Sequence, residues 1–451
     1  MFFKLLKDAL KVKNVRNKIF FTLFIIFVFR VGTHITVPGI NAKSLDQLGE
    51  LPFLNMLNLV SGNAMSNFSV FSMGVSPYIT ASIIVQLLQM DILPKFVEWS
   101  KQGEVGRRKL NQATRYISLV LAFIQSIGIT AGFNTLSSIS LVSTPNVKSY
   151  ILIGALLTTG SMIVTWLGEQ IADKGFGNGV SMIIFVGIIA SLPTQIYSAL
   201  AYFFGTELAT GDEALIIQGA VKVLLYILAY LVIILFVAFV EKSIRKIPVQ
   251  HSNKGGALNA KVNNTSFLPI KINSAGVIPV IFASSLMMAP AVIIGFAVTN
   301  TNEVTDTITQ IFTNSALVKM PWFNGGTWYM PWGLIIYIVL TFAFSFFYSN
   351  LTINPERLAD DFQKSGSYIP GIRPGNETQR YIQKVLNRVT FIGATALTLI
   401  AALPVVLTLC NVVPQSLALG GTGMIIVVGV ALETMSQIDG LLASNEHANV
   451  I

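Results

Sequence analysis

The stretch LNLVSGNAMSNFSVFSMGVSPYITASIIVQLLQM, residues 57–90, decides how this chain folds. It lies within an uncharged run from Leu51 to Met90 that would extend about 60 Å as one helix, twice the thickness of a hydrocarbon core. The run therefore divides near Gly74 into a small-residue segment, Leu57 to Ser72, and a short apolar helix, Val75 to Met90. A polar, broken segment at membrane depth is tolerated only inside protein or against a water-filled cavity. This stretch predicts that the protein encloses a cavity within the membrane.

The composition is that of a protein with many membrane spans. Hydrophobic residues make up 53% of the 451 residues, and only 11% are charged. The single cysteine, Cys410, excludes an internal disulfide. The first 18 residues carry six Lys/Arg and one acid, which excludes a cleavable signal peptide and favours a basic amphipathic helix on anionic lipid.

Hydropathy predicts ten membrane spans, and their flanking charges predict the orientation. The spans lie near 20–36, 75–90, 112–133, 149–171, 180–203, 215–240, 273–298, 331–351, 386–408 and 416–435. With a cytosolic N-terminus, the inner segments hold 25 of the 30 Lys/Arg, six each in 1–18, 91–115, 241–271 and 355–388. Both termini are therefore predicted to be cytosolic.

The predicted fold class is an all-α polytopic membrane protein with two inverted five-helix halves. The outer loop 204–214 divides the spans evenly, and an odd number per half places the halves in opposite orientations. The chain then reads as a basic tail (1–18), a first half (19–203), a second half (215–440) and a short cytosolic C-tail (441–451).

Arg30 lies inside the first predicted span, where an arginine is costly. Near the outer end of the span it can snorkel to the membrane surface or meet a protein partner. The alternative is a charge that binds substrate.

Inner loop 241–271 is polar and basic, and it is too long for a simple connection. Apolar residues alternate at Ile247 and Val249 and again at Ala260 and Val262, which predicts a short hairpin projecting into the cytosol.

Inner loop 355–388 is predicted to open with a helix that begins at Pro355. Two Pro-Gly pairs, at 370–371 and 374–375, then bracket Arg373 and present its guanidinium at a tip. A basic loop can serve topology alone, but two turns around one arginine favour a docking role.

No motif for catalysis, phosphate binding or metal binding is present in the sequence. The three histidines lie in unrelated segments, and no serine has a nucleophile context. We expect no enzyme activity, no catalytic residue, no cofactor and no metal.

Six motifs, taken in order along nearly the whole chain, resemble the SecY family of bacterial protein-conducting channels. They are PYITASIIVQLL, GEVGRRKLNQATRY, GNGVSMIIF, AGVIPVIFASS, KSGSYIPGIRPG and GGTGMIIVV. The resemblance implies a ten-span clamshell in the bacterial plasma membrane. Such a channel translocates unfolded polypeptides and opens laterally toward lipid.

The resemblance also assigns a pore ring and a plug. The pore ring maps to Ile79, Ile83, Ile184, Ile188, Ile281 and Ile426, each of which would otherwise be an ordinary membrane-core residue. The plug, a short helix on the outer side of the ring, maps to residues 58–71. The plug residues that the resemblance implies are Val60, Ser61, Gly62, Asn63, Ala64, Met65 and Phe68. Helical spacing predicts one apolar face toward the ring, a polar face toward water and weak packing.

A lateral gate is implied between the second and third spans and the seventh and eighth. Its candidate polar residues are Ser82, Gln86 and Ser284, which could equally make ordinary interhelical hydrogen bonds. The implied docking residues are Lys254, Arg373, Pro374 and Gly375, although Lys254 is the only basic residue at a tip that is arginine-rich in the family.

The implied partners are the SecE and SecG subunits, the SecA motor ATPase, the translating ribosome, nascent polypeptides with signal sequences, and anionic lipids. No nucleic acid is expected beyond ribosome docking. Two other classes fit the span count: a secondary transporter, which needs an ionisable site at the midplane, and a structural scaffold, which has no use for the small-residue segment.

Overall fold

The computed structural model describes residues 9–41, 61–62, 64–89, 92–136, 142, 146–204, 213–251, 266–297, 307–308, 310–312, 318–320, 328–410 and 420–448. Its first half contains helices α1 (Lys13–Gly32), α2 (Ser76–Leu88), α3 (Pro94–Lys101), α4 (Gly103–Leu136), α5 (Val147–Lys174) and α6 (Gly179–Phe204). Its second half contains α7 (Glu213–Lys242), β1 (Ile244–His251), β2 (Ser266–Lys271), α8 (Ile278–Ala297), β3 (Val318–Met320), β4 (Trp328–Met330), α9 (Trp332–Thr352), α10 (Pro355–Lys364), β5 (Ser367–Tyr368), α11 (Asn376–Leu409) and α12 (Gly420–Ala448).

Each of the ten predicted spans overlaps one of these helices. In the part of the chain that the structure describes, seven helices are long and apolar enough to cross a membrane: α4, α5, α6, α7, α9, α11 and α12. Helix α1 carries four basic residues, and α2, with 13 residues, extends only about 20 Å. The count of ten spans therefore stays a prediction, while the predominantly helical membrane fold is confirmed.

Helices α4 and α11 extend well beyond their predicted spans. Each has 34 residues, or about 51 Å, and begins in a segment that we expected to be a cytosolic loop. The hydropathy pattern missed these extensions because their charged turns lie outside the membrane, where a helix needs no apolar surface.

The structure contains two small sheets that the all-α prediction did not include. Strands β1 and β2 form the predicted cytosolic hairpin, but the return strand is 266–271. Ala260 and Val262, which we expected in that strand, lie outside the described residues. Strand β5 pairs with β1, so residues from both inner loops form one three-stranded sheet in the order β2-β1-β5. The second sheet pairs β3 with β4.

The main hydrophobic core lies where the two halves meet. Buried side chains from α1, α2, α5, α6, α7, α8, α9, α11 and α12 form one contiguous cluster. Helix α7, by contrast, exposes large apolar side chains along most of its length, including Leu224, Leu228 and Leu235. Such a surface is typical of a helix that faces lipid or another membrane subunit.

Candidate functional site: a closed apolar constriction

All six isoleucines of the predicted pore ring contribute to this core. They come from α2 (Ile79, Ile83), α6 (Ile184, Ile188), α8 (Ile281) and α12 (Ile426). Five are buried, and Ile83 is half-buried against the same cluster. The structure thus brings together residues separated by up to 347 positions, from Ile79 to Ile426. A group of branched apolar side chains offers no ligand to an ion and favours a dry, closed state.

The expectation of a helical plug is wrong for residues 64–71, which form successive turns, whereas Ser61 is helical. Phe68 has a φ of +40°, and most of residues 64–71 are buried, contrary to the weak packing that we expected. The turns form because buried serine hydroxyls satisfy backbone carbonyls: Ser72 Oγ donates to the Ala64 oxygen at 2.9 Å. Val60 and Asn63 lie outside the described residues.

The turns direct the apolar side chains of this segment to two sides. Ala64 and Phe71 join the cluster that contains the six isoleucines, whereas Met65 and Phe68 join a second cluster. Ser61, which we expected to face water, is buried. The segment is therefore wedged between two apolar clusters and does not rest on the ring by a single face.

Close backbone contacts also hold this segment. The Val37 amide donates to the Phe68 oxygen at 3.1 Å, and the Val70 amide donates to the Ile35 oxygen at 2.9 Å. Gly62, at a φ of +69°, lies so near α6 that a Cβ there would be 2.7 Å from the Gly187 Cα.

Arg30 meets a protein partner, as one of the sequence interpretations proposed. Its Nη1 donates a hydrogen bond of 3.0 Å to the carbonyl oxygen of Gly62. A charge-assisted bond inside a membrane protein is stronger than a bond between neutral groups, because little water competes for it. The first span is thereby tied to the plug segment.

The predicted gate helices lie side by side. Helix α8 contacts α4, α2 and α9. The Gln86 amide donates to Ser82 Oγ at 3.3 Å and its oxygen accepts a hydrogen bond from the Tyr348 hydroxyl, which joins α2 to α9 across the two halves. Ser284 instead bonds within its own helix, to the Ile281 oxygen at 2.8 Å.

Sequence reasoning missed Tyr348 as a contact between the predicted gate helices. Its ring also packs edge-on against Phe282 of α8, with the ring centroids 4.8 Å apart. The only signal in the sequence was a tyrosine in an aromatic run near the inner end of a span, which is common in membrane helices. Its partner is 262 positions away, so local pattern could not identify it.

The predicted turn around Arg373 is present in the structure, on the face that we expect to be cytosolic. Helix α10 begins at Pro355 as expected, and the Asn354 side chain caps it by accepting from the Glu356 amide at 3.0 Å. The chain then joins the sheet through β5 and turns through Gly371 and Gly375, both at positive φ.

The side chain of Arg373 is exposed, and its carbonyl accepts a 2.8 Å hydrogen bond from Thr378 Oγ1. The exposed Pro374 and the half-buried Gly375 complete the turn. Lys254 lies outside the described residues. Within the described ranges, no group of three or more His, Cys, Asp and Glu side chains could hold a metal ion.

Known proteins have sequences and folds similar to those of this chain. The family model SecY matches residues 69–435. The chain is 52% identical to the protein translocase subunit SecY of Streptococcus gordonii, over 99% of this chain and 98% of that protein. It is 43% identical to the protein translocase subunit SecY of Bacillus subtilis, with the same coverage.

Among solved structures, one described as a protein conducting channel aligns with a TM-score of 0.65 and 17% identity. The alignment covers 94% of this chain and 91% of the chain in that structure. Sec61 from a canine ribosome-channel complex gives the same coverage at a TM-score of 0.63 and 16% identity. At such identities these structures show the fold alone. The family match spans most of the sequence and the relatives cover almost all of it, so this chain belongs to the SecY family.

Proposed function

We propose that this protein is the pore-forming subunit of a bacterial protein translocase. It conducts unfolded secretory polypeptides across the plasma membrane and releases membrane segments laterally into the bilayer. Its relatives are protein translocase subunits. The observation that carries the proposal is the convergence of six isoleucines from four helices of both halves on one apolar cluster. A deformable apolar ring seals against ions and lets any side chain slide through.

Contacts of the described residues support the plug and gate assignments that the family resemblance implies. The plug segment packs directly against the cluster of isoleucines and is tied to α1 through Arg30. The gate closes where α8 meets α2 and α4, and the Gln86–Tyr348 hydrogen bond stabilises the closed form. A signal sequence that binds between these helices shifts the population toward an open form.

The partners we propose are those of the family. SecE and SecG bind the lipid-exposed surface, and SecA or a translating ribosome docks on the cytosolic turn around Arg373. Anionic lipids attract the basic N-terminal tail. The protein is multi-pass, and the excess of Lys/Arg on the predicted inner segments supports a cytosolic position for both termini. It acts without cofactor or catalysis, since the docked partner supplies the energy.

A stalled secretory chain tests this function directly. A photo-crosslinking residue is placed at Ile83 or Ile281, and a control is placed at Leu228 on the exposed face of α7. We expect crosslinks from both isoleucine positions and none from the control. Crosslinks from the control alone, or from no position, would contradict a pore at this cluster and revive the transporter hypothesis.

We expect the Arg30→Met variant to leak ions. The variant loses a charge-assisted hydrogen bond to the plug segment, which contributes about 1.5–3 kcal/mol. The resting conductance of reconstituted vesicles should therefore rise about tenfold or more. Arg30→Lys keeps a cationic donor and should leak less. Arg16→Met, at the inner end of the same helix, should leave the conductance unchanged; equal conductance in the Met and Lys variants of Arg30 would count against this role.

A further inference from the structure

The hairpin that forms the cytosolic sheet is joined directly to a gate helix. Strand β1 begins two residues after α7 ends, and β2 is followed by the irregular residues 272–277 that lead into α8. The Ile272 amide donates to the Ser243 oxygen at 2.9 Å and so closes the base of the hairpin. Whatever moves the hairpin therefore acts on the start of α8.

The buried side chain of Asn273 stiffens this connection through two hydrogen bonds, to Glu241 and to Gly276, which we call the clamp. Asn273 Nδ2 donates to Glu241 Oε1 at 2.6 Å and to the Gly276 oxygen at 3.0 Å. Asn273 is only 6% exposed, and Gly276 has a φ of +65°. A single amide thus ties the end of α7 to the last turn before α8, which a flexible six-residue connection would not do by itself.

The surroundings hold this clamp on one side and leave room on the other. On the packed side, a Cβ at Gly393 of α11 would overlap the Ile272 carbonyl oxygen. On the open side lies a cavity of about 690 Å³, lined in part by Glu241, Lys271 and Asn273. The hairpin base can therefore pivot into the cavity as a unit.

The ring isoleucine of α8 lies one turn from the start of that helix, just after the clamped residues 273–276. Helix α8 begins at Ile278, and Ile281 follows three residues later, about 5 Å along the helix. The same helix contacts α2 and α4 at the predicted gate. A small rotation at the clamp therefore reaches both the seal and the gate.

We infer that Glu241 and Asn273 are positioning residues that couple the cytosolic docking surface to α8. Movement of the hairpin on docking is transmitted through the Asn273–Glu241 bond to Ile281 and to the gate, and is not absorbed by residues 272–277. This inference rests on the proposed function, since it requires a docking partner that opens the pore.

An exchange of the two side chains tests the coupling. Asn273→Asp removes the donor and sets two carboxylates against each other. The double variant Asn273→Asp/Glu241→Gln places the amide at position 241 and the carboxylate at 273, which restores the hydrogen bond between the two side chains but not the bond to the Gly276 oxygen. Asn350→Asp, at the exposed inner end of α9, is the control for the added charge.

The readouts are SecA affinity, thermal stability and SecA-driven export in reconstituted vesicles. We expect Asn273→Asp to bind SecA as the unmodified protein does but to export at least about fivefold more slowly, the lower end of allosteric couplings. The double variant should recover part of the rate, because only the bond between residues 241 and 273 is restored, and Asn350→Asp should be unaffected.

Three results would overturn the inference: unchanged export in Asn273→Asp, no recovery in a stable double variant, or a loss of SecA affinity that equals the loss of export. Failure of the proposed function is distinguishable, because the unmodified protein would then export nothing.

Discussion

The Arg373→Glu variant is expected to insert and fold as the unmodified chain does, yet to lose partner-driven export. The side chain of Arg373 is exposed, and the hydrogen bonds described at its turn use backbone carbonyls: Thr378 Oγ1 donates to the Arg373 oxygen at 2.8 Å, and the Ile372 amide donates to the Ile369 oxygen at 3.0 Å. The substitution therefore leaves the turn intact and reverses the charge at its tip. The loss of one member of a desolvated charge pair costs an interface about 2–5 kcal/mol.

Affinity for SecA or the ribosome should accordingly fall by about 30-fold or more, and export should fall with it. The measurement is partner binding to reconstituted vesicles together with export of a secretory precursor. The control is Arg108→Glu, which makes the same charge change in the first half of the protein. The Arg108 side chain is 81% exposed and pairs with Glu104 on the same helix. An Arg373→Glu variant that docks as well as the Arg108→Glu control would leave Arg373 without a docking role.

The sequence predicted those parts of the fold that depend on local physics. The break near Gly74, the helix that begins at Pro355 and the exposed turn at Arg373 each follow from backbone preferences of proline and glycine. The helices at the predicted spans follow from the need to satisfy backbone groups in lipid.

Contacts between distant segments could not be predicted in the same way. The bond from Arg30 to Gly62, the bond from Tyr348 to Gln86 and the pairing of β1 with β5 each join residues that no local pattern relates. The plug segment illustrates the limit most clearly. Its apolar spacing fits a helix, but serine hydroxyls and backbone pairing with residues 35–37 favour turns instead. The isoleucines of the ring required the family resemblance, since isoleucine is common throughout membrane cores.

We propose that the plug segment and the ring seal the closed channel together. The plug contributes Ala64 and Phe71 to the same cluster as the ring, so the closed state is one continuous apolar body. If the plug is removed, that cluster is exposed, and the ring is then the only barrier between the water on the two sides. A polar side chain in the ring should therefore increase the ion leak even when the plug is in place, because it can bind water inside the apolar cluster.

We expect Ile184→Asn to raise the resting ion conductance of reconstituted vesicles about tenfold and to relax discrimination between functional and defective signal sequences. The asparagine costs the closed state about 1–3 kcal/mol, because a buried amide without partners is destabilising there but is hydrated in an open pore. The difference acts on the equilibrium between closed and open forms, so a weaker signal sequence suffices to open the channel.

Ile183→Asn is a closely matched control, since Ile183 neighbours Ile184 on α6 and is equally buried in the same cluster. Its side chain is directed toward α5, where its Cδ1 would lie 3.3 Å from a Cβ built at Gly168. Both variants should lose similar thermal stability, because each buries one amide, but only Ile184→Asn should leak and lose discrimination. If the two variants leak equally, the conductance reports general loosening of the core, and Ile184 does not belong to the seal.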